Sequence, residues 1–114
     1  MTTHDAGDAY LIEECAAFHD VYTSYIHSCE ALAEVEAAGV EPSNFEEVRR
    51  GVLLYWQDAL SRVHRVSQTQ AHTSLGLVAK GSVLQDYLAE HPVDDRDGAE
   101  LLRSLLFDLA NVLN

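Results

Sequence analysis

Apolar residues recur every three or four positions through the first third of the chain, on one side of a predicted helix. They are Leu11, Cys15, Phe18, Tyr22, Tyr25, Cys29 and Leu32. A stripe with this spacing predicts an amphipathic helix over residues 8–38, on the order of 45 Å long at about 1.5 Å per residue. Gly39 and the Glu41-Pro42 pair predict its end. We expect residues 1–7, which precede the stripe, to be flexible.

Three shorter apolar patterns follow the first. They predict helices over residues 44–66, 71–91 and 97–113. The polar residues 67–70 predict a bend or short loop between the second and third helices, although one long continuous helix is also compatible with them. Gly76 and Gly81 weaken the third helix by about 1 kcal/mol each relative to alanine, which predicts close helix contacts at both positions. Pro92 predicts the end of the third helix.

Four helical patterns and the absence of a strand pattern predict an all-α fold. We expect a four-helix bundle-like single domain over residues 1–114, with a long N-terminal helix. The first predicted helix is longer than the fourth, so part of the first helix is left uncovered. A second copy of the chain can cover that part through a two-fold contact. We therefore expect a homodimer through the long first helix. The aromatic residues predicted to pack in the core or at that interface are Tyr22, Tyr25, Tyr55 and Trp56.

The chain is strongly acidic, and its charge is unevenly distributed. The formal net charge is −12 over 114 residues; residues 1–48 carry −11, residues 49–80 carry +4 and residues 81–114 carry −5. Such a field disfavours direct binding to nucleic acid or an anionic membrane, and it attracts a basic protein surface. The sequence has neither an export signal nor a long apolar span, so we expect a soluble cytoplasmic protein.

Six histidines and two cysteines raise the question of metal or nucleophile chemistry. The Glu-x-x-His pattern of di-iron bundles does not occur, so the sequence predicts no metal and no cofactor. Cys15 precedes His19 by one helical turn, but Cys15 lies within the apolar stripe among acids, where a reactive thiolate is not expected. We therefore interpret His19 as a hydrogen-bonded histidine at the edge of the core, and we predict no catalytic residue. An enzyme whose active-site residues are distant in sequence remains an alternative.

One side of the first predicted helix carries polar residues at intervals of seven. Glu13, Asp20, His27 and Glu34 form this row, and Glu30 lies beside it. These five residues are our predicted partner-binding surface; the alternative interpretation is a solvated acidic face that keeps the protein soluble. The function we expect is a non-enzymatic helical adaptor or regulator. The alternative is a phage-type decoy that imitates nucleic acid to block a basic groove, as some small acidic anti-CRISPR proteins do.

Overall fold

Four α-helices make up the protein. The computed structural model describes the backbone of residues 3–39, 42–90 and 96–113, and the side chains of 8–39, 45–89 and 96–113. The helices are α1 (Thr3–Ala38), α2 (Pro42–Gln68), α3 (Ser74–Glu90) and α4 (Arg96–Leu113), and these ranges contain no strand. The predicted all-α, four-helix bundle-like fold with a long first helix is confirmed. Within the same ranges, no helix is both long and apolar enough to cross a membrane.

The first helix ends where the sequence predicts. Gly39 adopts a left-handed conformation with φ 66°, and its amide donates a hydrogen bond to the carbonyl of Glu36 at 3.4 Å. Glycine tolerates this conformation because it has no Cβ. Residues 40 and 41 and the predicted end of the third helix at Pro92 lie outside the described part of the chain. The flexibility of residues 1–7 stays a prediction.

The second and third helices are separate. The Thr69 amide bonds the Val66 carbonyl at 3.3 Å, and the Thr69 hydroxyl donates to the Arg65 carbonyl at 2.7 Å, which closes the last turn of α2. Thr73 then starts α3, because its hydroxyl accepts the Gly76 amide at 3.2 Å and its carbonyl accepts the Leu77 amide. The predicted short loop is therefore present, and the continuous helix is wrong.

The core lies where α1 packs against α2 and α3, and where α4 packs against the same two helices. Its fully buried large apolar side chains are Leu11, Phe18, Val63, Val66, Val83, Tyr87 and Leu101. Burial decreases along α1: Leu11, Cys15, Phe18 and Tyr22 are buried, whereas Tyr25, Cys29 and Leu32 are only half-buried. The neighbouring helices therefore bury only the first half of the apolar stripe on α1.

The second half of α1 is less buried because α3 and α4 are much shorter than α1 and α2. Near the end of α3, the Tyr87 ring stacks on Trp56 with 6.2 Å between centroids. We call residues 25–38 and 42–56 the hairpin end, and the rest of the described chain the bundle end. The molecule is correspondingly elongated, with extents of 57 × 31 × 16 Å.

The apolar faces predicted for α2, α3 and α4 are wider than the core. Tyr55, predicted to lie in the core or at an interface, is 41% exposed, and Leu53 beside it is 53% exposed. On the bundle end, Leu75 is 71% exposed, and Leu106 is exposed as well. Each helix packs closely against two others, so the apolar residues at the margins of a broad face remain in contact with water.

Candidate functional site

The five predicted partner-binding residues lie on the outer face of α1. Glu13, Asp20, His27, Glu30 and Glu34 are all exposed. They point away from the buried side chains of Leu11 and Phe18, as their helical spacing requires. We call these five residues the acidic face.

The chain's own cations pair with other acids. Five of its seven basic residues form ion pairs in the described part of the chain: Arg49, Arg62, Arg65, Lys80 and Arg96. Their partners are Glu14, Glu46, Asp58, Glu100 and Asp108. None of the ion pairs among described residues involves the acidic face. Within the described ranges, its negative charge therefore has no internal ion-pair partner.

Lys80 forms a fully buried polar cluster that the sequence analysis missed. Its Nζ lies 2.5 Å from Asp108 Oδ2, and it donates to Ser104 Oγ at 2.9 Å and to the Thr69 carbonyl at 2.7 Å. Asp108 also accepts the Ala71 amide at 3.0 Å. The cluster joins α3, α4 and the α2–α3 connection, and its burial excludes ligands. The feature of the sequence that indicates this cluster is a single lysine within the mostly apolar sequence of α3.

Asp8 of α1 forms a second cluster with the residues that precede α3. Its carboxylate accepts the His72 amide at 2.9 Å and the Thr73 hydroxyl. Burial raises the pKa of Asp8, but the hydrogen bonds from Thr73 and His72 outweigh burial, so the pKa lies below its ordinary value. Gly76 packs directly against this carboxylate, which confirms the predicted close helix contact there.

His19 connects α1 to α3 in an arrangement that resembles a hydrolase triad. Its Nε2 lies 3.2 Å from Ser82 Oγ, and its Nδ1 lies 2.7 Å from Asp86 Oδ2. The interpretation of His19 as a hydrogen-bonded histidine at the edge of the core is confirmed. Acyl transfer also needs donors for an oxyanion and a pocket for the acyl group. His19, Ser82 and Asp86 line neither the groove at the hairpin end nor the groove beside Gln70 and Asn111.

Cys15 cannot provide an alternative nucleophile at neutral pH. Burial raises the pKa of its thiol to about 11, an effect that Glu14 reinforces and Lys80 opposes. A thiol is a good nucleophile only as the thiolate, which this environment suppresses. The predicted lack of reactivity of Cys15 is consistent with its position in the core. Cys15 and Cys29 are both free.

The hairpin end contains a groove with a volume of about 490 Å³. Apolar and aromatic side chains form most of it: Tyr25, Leu32, Val52, Leu53 and Trp56. Glu46, Arg49 and Arg50 add charged groups. Arg49 is held in place from two sides, by Glu46 at 3.4 Å and by the Phe45 ring at 5.5 Å from its centroid. The groove combines an apolar surface with two cations, which suits a docked polypeptide more than a small polar metabolite.

Comparison with protein-family models, with curated proteins and with solved structures finds no match to this chain. A functional proposal therefore rests on the surfaces and clusters described above.

Proposed function

We propose that this protein is a non-enzymatic interaction module that binds a basic protein partner through its acidic face, acting as an adaptor or regulator. One observation carries the proposal. The acids that face the interior, such as Glu14 and Asp108, are paired with the chain's own cations, whereas the acidic face has no such pairs among the described residues. Two free cysteines support a reducing, cytoplasmic location.

The arrangement of the acidic face suits electrostatic recognition. Residues seven apart on a helix are separated by about 10 Å along its axis, so Glu13, Asp20 and Glu34 present negative charge along several turns of one rigid element. Charges arranged in this way accelerate encounter with a basic surface and fix its orientation. Because exposed charges are screened by ions, complex formation should weaken strongly as salt is raised.

A matched pair of double variants tests this proposal. Asp20→Asn/Glu34→Gln removes two charges from the acidic face, and Glu36→Gln/Glu47→Gln removes two exposed charges elsewhere on the hairpin end. Each protein is used to capture partners from native host lysate at about 50 and 300 mM salt, with quantitative mass spectrometry. We expect the first variant to lose at least about tenfold of the captured partner and the second to retain it.

Two results would overturn the proposal. Equal loss in both variants would show that net charge alone attracts the partner, and full retention in both would show that the acidic face is not used. Nucleic-acid mimicry is the second candidate function, favoured by the regular spacing of acids along one helix. It requires that the captured partner bind nucleic acid and that added DNA or RNA displace this protein. A partner insensitive to that competition supports the adaptor.

We further propose that the hairpin groove is filled by a second copy of the chain, giving a homodimer through the first helix. The groove lies where α3 no longer covers α1 and α2, on the side of α1 opposite the acidic face. An antiparallel two-fold arrangement places the groove of one copy against that of the other and leaves the acidic face free for a partner. The apolar residues of both grooves, including Leu53 and Trp56, are then buried at the centre.

Analytical ultracentrifugation between about 5 and 100 µM tests the dimer. We expect a mass twice the 12.6 kDa of one chain, and a monomer for Leu53→Glu in the groove. Leu75→Glu is the matched control, since Leu75 is even more exposed but lies on the bundle end. A wild-type monomer at the highest concentration, or dissociation by Leu75→Glu alone, would contradict the proposed interface.

A further inference from the structure

Three side chains with metal-binding chemistry meet between α2 and α4. His64 extends from α2, and Asp97 and Glu100 extend from the first two turns of α4. One ligand atom from each lies within 4.8 Å of the other two, and His64 Nε2 is 3.1 Å from Asp97 Oδ1. All three are at least partly exposed, so an ion has direct access from solvent.

The charge of the group favours a cation. With neutral imidazole the group carries two negative charges, in a protein whose net charge is −12. Arg96 pairs with Glu100 at 3.7 Å, and the Arg96 side chain is 90% exposed. An exposed pair of this kind contributes little free energy, so an ion can displace the arginine at small cost.

We propose that His64, Asp97 and Glu100 bind one divalent transition-metal ion, with Zn²⁺ as the best match. Imidazole nitrogen and carboxylate oxygen are both zinc ligands, and a water molecule completes a four-coordinate site. The ion binds His64 Nε2 through its lone pair, so the single ring proton of the neutral imidazole is then on Nδ1. The bound ion links α2 to α4 and adds a binding property beyond the proposed partner interaction.

The site was missed by the sequence analysis for a clear reason. Asp97 and Glu100 are adjacent on one helix, but the histidine comes from a residue 33 positions earlier. The pattern sought in the sequence was a Glu-x-x-His motif within one helix, and a site assembled across two helices does not produce it. His27 has Glu30 and Glu34 near it on the acidic face, away from this group, and provides an internal control.

Calorimetric titration of untagged protein with ZnCl₂ at about pH 7.5 tests the site. We expect one saturable equivalent with a dissociation constant below about 100 µM. His64→Gln and Glu100→Gln should each weaken binding at least about tenfold, whereas His27→Gln should leave it unchanged. Lowering the pH to about 5.5 should weaken binding, because His64 must be neutral to coordinate the ion.

Thermal unfolding supplies a second measurement that does not depend on heats of binding. Excess Zn²⁺ should raise the melting temperature of wild type and of His27→Gln, and it should leave that of His64→Gln unchanged. The proposal is overturned if no saturable binding occurs, or if His27→Gln rather than His64→Gln abolishes it. A lack of saturable binding leaves the proposed protein partner of the acidic face unaffected.

Discussion

The bundle end and the hairpin end share the two long helices α1 and α2, yet they differ in how deeply their charged side chains are buried. In the bundle end, Lys80 is 0% exposed and Asp108 is 1% exposed, and they are hydrogen-bonded to each other and to neighbouring groups. In the hairpin end, Arg49 and Glu46 form their ion pair at the surface, with more than half of each side chain exposed. Both ends expose apolar side chains, Leu53 in the hairpin end and Leu75 in the bundle end among them. The buried ion pair indicates that the bundle end specifies the fold, and the groove offers a binding surface at the hairpin end.

A continuous series of aromatic contacts joins the two ends. Successive ring centroids lie 5.0 Å apart for Phe18 and Tyr22, 5.7 Å for Tyr22 and Tyr25, and 5.3 Å for Tyr25 and Trp56. Trp56 then stacks on Tyr87 of α3. Rings at these separations attract each other beyond the effect of burial. The series therefore fixes how α1 and α2 pack where the support of α3 ends.

The largest expected effect is the loss of the buried cation. Lys80→Met leaves the Asp108 carboxylate buried without its charge partner, and we expect a loss of about 3–5 kcal/mol in the free energy of unfolding. Arg96→Met is the control, because it removes a basic residue from an exposed ion pair and should cost under about 0.5 kcal/mol. Urea unfolding followed by circular dichroism measures both. Similar costs for the two variants would contradict the importance of the buried cluster.

Two glycines show a second difference between the bundle end and the hairpin end. A Cβ at Gly76 would lie 2.5 Å from Asp8 Oδ2 and 3.2 Å from Ala71 Cβ, whereas a Cβ at Gly51 of α2 meets nothing within 4 Å. Gly76→Ala should therefore destabilise by about 1–3 kcal/mol. Gly51→Ala should stabilise by about 0.5–1 kcal/mol, because alanine favours helix. Melting temperatures that shift in the same direction would show that the Asp8 contact is not tight.

Asp8 should make the bundle end sensitive to acid. Its folded pKa lies below the unfolded value of about 3.9, so the carboxylate stabilises the fold above that pH and this contribution is lost as the pH falls through the folded pKa. Asp8→Asn should cost about 1–2 kcal/mol at pH 7 by weakening charge-assisted hydrogen bonds. Urea midpoints at pH 7, 4 and 3 should converge for wild type and variant as the pH falls. A constant difference would assign the effect to shape alone.

The smallest effect on stability is expected at the acidic face. Glu13→Gln should change the free energy of unfolding by less than about 0.5 kcal/mol, because Glu13 is exposed and unpaired within the described chain. Glu14, the next residue along the chain, should show a larger change in the free energy of unfolding. Glu14→Gln weakens ion pairs to Arg62 and Arg65 at 3.0 and 3.3 Å and should cost about 1.5–3 kcal/mol. Unfolding by urea compares the two neighbouring positions directly.

The sequence by itself determined the helices and the distribution of charge. The spacing from Leu11 to Leu32 predicted the side of α1 that packs inward, and Gly39 predicted its end. The same spacing placed Glu13 and Asp20 outside. These features follow from a local rule, since a helix of fixed period assigns each residue to a face whatever its neighbours are. A partner for the acidic face stays a prediction.

Only the tertiary structure decided which polar residues become partners. Lys80 and Asp108 are 28 residues apart, and His64 and Asp97 are 33 apart, so no local period relates them. The tertiary structure also decided how much of the apolar stripe on α1 is buried. Burial decreases from Tyr25 onward, where α3 no longer covers α1, although the stripe continues to Leu32. Helical period depends on the backbone of one segment, whereas pairing and coverage depend on how separate helices are placed against each other.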